Sequence, residues 1–225
     1  MRTTAPSTNY ECPLLPRNFY HVFNRTNNKE LLFRSDENRR FFLEKFQTYL
    51  LPYLEVHAFC LLGNHFHALV RIRTADELEK HLLALSLPKR SSVQKKVLKK
   101  AASQRAWEEV LSHQFQLFFG CYAMAVNEQW KRKGNLFQRP FKRVLVKDEN
   151  HLVRLIFYIH ANPKKHGLMA DFRNYDWSSY RAMLSDSPTK LERQAVLDWF
   201  GGKAAFEAYH QQMEDWKDLW GLIIE

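Results

Sequence analysis

Residues 54–72 read LEVHAFCLLGNHFHALVRI, two apolar, aromatic and β-branched runs joined at Gly63-Asn64. So short a connection joins only antiparallel neighbours, because a parallel return needs a crossover of a dozen or more residues. Any fold of this chain is therefore built around that hairpin. Two further strand-like runs stand apart from it, FYHVFNR (19–25) and FKRVLVKD (141–148). Between the first run and the hairpin, Ser35-Asp36 caps a stretch whose Phe41, Phe42, Phe46, Tyr49 and Leu50 have helical spacing up to Pro52. After the hairpin, Thr74 and Glu77 form a capping box for ADELEKHLLAL, which Pro88 ends. KRSSVQKKVLKKAASQR then reads as a basic helix, and WEEVLSHQFQLFFGCYAMAVNEQWKRKGN as a long one with a break at Gly120. Asp148 and Glu149 open a helix, ENHLVRLIFYIHAN, terminated by Pro163 and Gly167. DFRNYDWSSYRAML reads as loop, and residues 189–221 as two helices around Gly201-Gly202.

The order β-α-β-β-α-β-α predicts an α+β fold, a ferredoxin-like (split βαβ) antiparallel sheet with helices on one face. Residues 1–18, rich in Pro, Ser and Thr, are expected to be flexible. Residues 19–187 form the domain, with a helical insertion at about 86–113, and residues 188–225 a C-terminal helical extension. The chain has 45% hydrophobic residues, 17 Phe among them, enough for a packed core. Its 34 Lys and Arg against 24 Asp and Glu leave a net charge of +10. That excess points to a polyanionic partner, nucleic acid before an anionic membrane. Three dispersed cysteines, Cys12, Cys60 and Cys121, suggest neither a zinc knuckle nor a disulfide framework, and read as reduced thiols of a cytoplasmic protein. The N-terminus lacks the apolar core of a signal peptide, and no stretch approaches the roughly 18 apolar residues of a membrane span.

Two pairs of residues carry chemistry. His65 and His67 alternate with Phe66 on a strand, so both imidazoles point to one face. Tyr158 and Asn162, four apart on a helix, share a face. A cation held by His65, His67 and Asn162 would keep open positions for phosphodiester oxygens, and an amide oxygen suits Mg²⁺ or Mn²⁺. Tyr158, one turn away, could then attack. Singly each pair is weak evidence, since His-x-His arises by chance and a Tyr and an Asn near a helix end are commonly structural. His57 and His160 compete as ligands but read as structural. His21 and Arg25 share strand parity and face either DNA or solvent. The tract KRKGNLFQRPFKR sets Lys131, Arg132, Lys133, Arg139, Lys142 and Arg143 around Phe137. Phosphates on the cations and a base on the ring would suit single-stranded DNA; the alternative is a solvated loop with Phe137 in the core. Lys95, Lys96, Lys99 and Lys100 face either DNA or solvent.

The stretches FYHVFNRTNNKELLF, HAFCLLGNHFHALV, GNLFQRPFKRVLV, LIFYIHANPKKHGL and DWSSY follow one another over most of residues 19–180. In that order they resemble the REP-associated tyrosine transposases, a branch of the insertion-sequence tyrosine transposases within the HUH endonuclease superfamily. The resemblance implies a metal-dependent endonuclease and strand transferase acting on single-stranded DNA beside REP-like hairpins. It implies Tyr158 as the nucleophile of a 5′-phosphotyrosine intermediate, and His65, His67 and Asn162 as ligands of Mg²⁺ or Mn²⁺. It further implies a cytoplasmic, nucleoid-associated monomer or homodimer. The chain departs from the family pattern at Leu62-Gly63, where many relatives have Met-Pro, and at NPKKHG, where many have Asn-Pro-Val-Arg-Ala-Gly. A catalytically silent nucleic-acid-binding module, and a replication-initiator or relaxase nuclease, are the alternatives.

Overall fold

The computed structural model describes residues 11–86, 89, 91–99 and 104–212; for Lys96, Lys99, Gln104 and Arg105 it describes the backbone alone. Four strands, β1 (Phe19–Arg25), β2 (Leu54–Leu61), β3 (His65–Ile72) and β4 (Lys142–Val146), form one antiparallel sheet in the order β2-β3-β1-β4. The hairpin thus lays β3 against β1, and β4 closes the other edge, as a ferredoxin-like split βαβ requires. The fold is α+β, as the element order predicts.

Helix α1 (Asp36–Tyr49) starts at Ser35, whose hydroxyl accepts from the Asn38 N–H. Among the described residues the second crossover holds three α-helices: α2 (Ala75–Ala84), capped by the Thr74–Glu77 box, α3 (Ser92–Lys99) and α4 (Gln104–Gln129). The last runs unbroken through Gly120. One face of the sheet, with Tyr20, Val22, Phe66, Ala68, Val70 and Ile72, packs on Phe42 and Phe46 of α1 and Phe115 and Phe118 of α4. Phe42 lies 5.0 Å from both Phe66 and Phe118. Truncating such a buried ring costs about 3–5 kcal/mol.

The expectation of helices on one face holds for the crossovers only. Ala58, Cys60, Leu69 and Val146 make the opposite face apolar too, and α5 (Glu149–Lys165) covers it with Leu155, Ile156 and Ile159. β4 ends at Val146 rather than at 148, because Asp148 caps α5 by accepting from the His151 N–H at 2.8 Å. α5 continues through Pro163 to Lys165. A proline this near the end removes a single helical hydrogen bond, and Gly167, at φ 65°, makes the turn. Within the stretch expected as loop, α6 (Tyr180–Leu184) is helical, too short to show a periodicity.

Helices α7 (Arg193–Phe200) and α8 (Lys203–Gln212) flank Gly201-Gly202 as expected. Val196 and Phe206 are fully buried in the core beneath α5, so the C-terminal extension belongs to the same body. The expected flexible lead-in is anchored from residue 11 onward: Leu14 is fully buried, and the Tyr20 hydroxyl accepts from the Leu15 N–H and donates to the Pro13 carbonyl, both at 2.8 Å. Residues 1–10, Pro88, Lys100 and 213–225 lie outside the described residues. Among the described residues no helix is long and apolar enough to cross a membrane.

Candidate active site

The Gly63-Asn64 turn delivers His65 as the first residue of β3, with the Leu62 N–H bonded to the His65 carbonyl at 2.9 Å. Strand alternation then points His65, His67 and Leu69 toward α5 and sends Phe66 and Ala68 into the α1/α4 core. The two imidazole centroids are 5.1 Å apart, and both rings are buried. His65 Nδ1 lies 2.6 Å from Asn64 Oδ1. An amide oxygen only accepts, so Nδ1 holds a proton, and in the neutral form of the ring the lone pair lies on Nε2. His67 Nδ1 lies 2.9 Å from Nε2 of His21, its diagonal neighbour on β1. The sequence left His21 between DNA and solvent; it is buried and braces His67.

Helix α5 crosses this pair lengthwise. The Tyr158 ring is 5.6 Å from that of His67, and the His166 ring, at the C-cap, is 4.7 Å from that of His65. Tyr158, Asn162 and His166 form one i, i+4, i+8 stripe, so Asn162 falls between those contacts, over the histidine pair. Asn162 is fully buried. Its amide nitrogen donates to the Tyr158 carbonyl at 2.8 Å, while Oδ1 is buried with no hydrogen-bond partner. Such an orphan costs about 1–3 kcal/mol. Tyr158 is itself buried, and Lys165 Nζ donates to its hydroxyl at 3.2 Å. Among the described residues no group of three or more His, Cys, Asp or Glu could hold a metal ion.

A hollow of about 30 Å³ opens beside the pair, lined by Phe23, Asn24, Arg25, His65, His67, Gln138 and Lys142. Arg25, opposite His65 in the register, and Lys142, opposite Phe23, make it electropositive. Arg25 Nε is buried with no hydrogen-bond partner.

The rest of the basic tract divides. Lys133 and Arg139 are exposed, and so is Lys131, which pairs with Glu128 at 2.8 Å. Three residues expected at DNA belong to the framework instead. Arg132 grips Glu30 through two hydrogen bonds, 2.8 and 3.0 Å, and Asn127 through a third. Arg143 has the strand parity of the α4 face, is buried, bonds the Cys12 carbonyl at 2.7 Å and pairs with Glu108. Phe137 packs 4.8 Å from Phe119 in the core, where no base can stack. Charge pattern alone does not distinguish a cation with a distant carboxylate partner from one facing solvent. Of the lysine cluster, Lys95 is exposed; the side chains of Lys96 and Lys99 and all of Lys100 are outside the description.

Both competing histidines are buried. A β-bulge at His57 turns its ring onto Trp199, 5.1 Å away, and burial beside Arg71 lowers its pKa to about 4. His160 is fully buried against His210 and Ser179, and burial holds it well below the usual histidine range. Sequence reading passed over Lys165 and His166, although their seven- and eight-residue offsets from Tyr158 place both on its helix face.

A scan of protein-family models and a search of curated proteins find no match to the chain. Among solved structures, it is similar to a REP-associated tyrosine transposase bound to a REP hairpin, with 14% identity, a TM-score of 0.47, and coverage of 82% of this chain and 90% of that one.

Proposed function

We propose that this chain is a metal-dependent endonuclease and strand transferase for single-stranded DNA beside REP-like hairpins, acting through a 5′-phosphotyrosine at Tyr158. The observation that carries the reading is the contact of the Tyr158 ring with the His67 ring, far apart in sequence, one helical turn from a buried Asn162 oxygen that has no hydrogen-bond partner. Two imidazoles and a hard amide oxygen fit a divalent cation, Mg²⁺ or Mn²⁺. When bound, such an ion polarises a phosphodiester.

The chain's own residues supply the rest. Tyr158 Oη forms a bond to phosphorus while the 3′ oxygen departs with the bonding pair. The resulting phosphotyrosine conserves a diester, so another 3′-hydroxyl can reverse the step without ATP. Arg25 and Lys142 face the hollow where phosphate oxygens would enter, and Lys131, Lys133 and Arg139 extend the positive surface along the loop that precedes β4. The Tyr158–His67 contact joins α5 and β3 of a single chain, which favours a site complete within one protomer.

The test is incubation with Mn²⁺ or Mg²⁺ and a hairpin carrying a single-stranded flank, followed by denaturing electrophoresis and mass spectrometry. Wild type forms a covalent adduct at Tyr158. Tyr158→Phe forms none and retains hairpin affinity. An adduct on the phenylalanine variant removes the nucleophile assignment, and hairpin binding with no wild-type adduct selects the catalytically silent module.

A further inference from the structure

Lys165 ends α5, seven residues after Tyr158 and two turns along the same face, which sets their Cα atoms roughly 10 Å apart. A lysine in a last turn is ordinarily drawn to the free carbonyls there, the negative end of the helix dipole. Its neighbour Lys164 is exposed at that end. Lys165 runs the other way. Its half-buried side chain folds back toward the helix N-terminus, and Nζ sits 4.9 Å from the centroid of the Tyr158 ring. Nζ also donates to Oη at 3.2 Å. A ring contact alone would leave the ammonium over the ring face; the hydrogen bond aims it at the one atom that would react.

We propose that Lys165 is a catalytic residue whose ammonium stabilises negative charge on Tyr158 Oη in both directions of strand transfer; this rests on Tyr158 being the nucleophile. In cleavage Oη bonds to phosphorus and its proton passes to water, while the 3′ oxygen leaves with the bonding pair and takes a proton from water. In joining, a 3′-hydroxyl attacks, loses its proton to water, and Oη leaves with the pair. Charge gathers on Oη in both passages. A fixed ammonium, with three protons and no lone pair, meets it each time.

Single-turnover cleavage and rejoining at saturating DNA test this, with hairpin affinity measured alongside. Lys165→Met lowers both rates by about 10²-fold, the usual cost of one donor at a developing oxyanion, and changes affinity little. Lys165→Arg restores most of both rates, since it keeps charge and donors. Wild-type rates in Lys165→Met overturn the proposal, as does a loss confined to affinity, which makes Lys165 a phosphate contact. Arginine failing to rescue, with a melting temperature equal to wild type, also counts against it. A wild-type enzyme that forms no adduct removes the nucleophile reading and this role together, whereas a wild-type adduct with a fully active Met variant removes only Lys165.

Discussion

One helix carries two polar clusters on opposite sides, and they are built to different rules. On the side away from the sheet's histidine pair, His160 of α5 belongs to a closed chain of hydrogen bonds. His210 Nδ1 donates to the Phe206 carbonyl at 2.8 Å, so its Nε2 accepts from His160 Nδ1 at 3.0 Å, and His160 Nε2 accepts from the Ser179 hydroxyl at 2.8 Å. Every ring nitrogen is engaged and both rings are neutral, which is how buried polar groups stabilise a fold. On the side facing β3, two residues away in each direction, Tyr158 contacts His67 and the buried Asn162 oxygen is left unsatisfied. A closed network needs nothing more, whereas an open one leaves hydrogen-bonding capacity unused. Burial does not distinguish the two clusters, since His67, Asn162 and His160 are all fully buried.

The largest effect that separates them is catalytic. His65→Ala or His67→Ala is expected to lower adduct formation by about 10²-fold or more while hairpin affinity stays near wild type, and EDTA should do the same to wild type. Full cleavage in EDTA would erase the distinction between the clusters. His210→Ala should do the reverse, costing about 2–3 kcal/mol in denaturant unfolding because it orphans His160 and Phe206, with the cleavage rate of folded molecules intact.

Two buried histidines, His210 of the closed cluster and His57 against Trp199, set a pH dependence. Burial holds His210 at about 4 and His57 at about 4, against an ordinary 6.5. In that window the unfolded chain binds protons that the native state refuses, so stability rises with pH from about 4 to 6.5 and is level above it. Each group contributes roughly 3 kcal/mol across the window. Urea midpoints measured through this range check it, and His210→Ala should flatten the slope.

The smallest effect lies in the basic tract. Removing the charge of Arg139 or Lys142 should reduce the salt slope of single-strand binding by about 0.7 each. Arg143→Gln should lower stability and leave that slope unchanged. An unchanged slope for all three would place DNA on another surface.

Much of this was readable in the chain. The Gly63-Asn64 turn, the Ser35 cap and the Thr74–Glu77 box are local signals, and they mark elements where the structure has them. Strand alternation put His65 and His67 on one face, and helical spacing put Tyr158 with Asn162. Local signals could not show that Arg132 is claimed by Glu30, that Arg143 turns to the α4 side, or that Phe137 lies under Phe119. Nor could they show that Pro163 stays inside a helix held down by its packing on the sheet.

The sequence by itself determined the hairpin, the alternation of strands and helices, the basic surplus and the two residue pairs, because each follows from periodicity or composition over a few neighbouring residues. Only the tertiary structure decided that the pairs meet, that Lys165 reaches back to Tyr158, and which histidines are saturated. Those outcomes depend on strand register and on how α5 crosses β3, which are set by packing summed over the whole core.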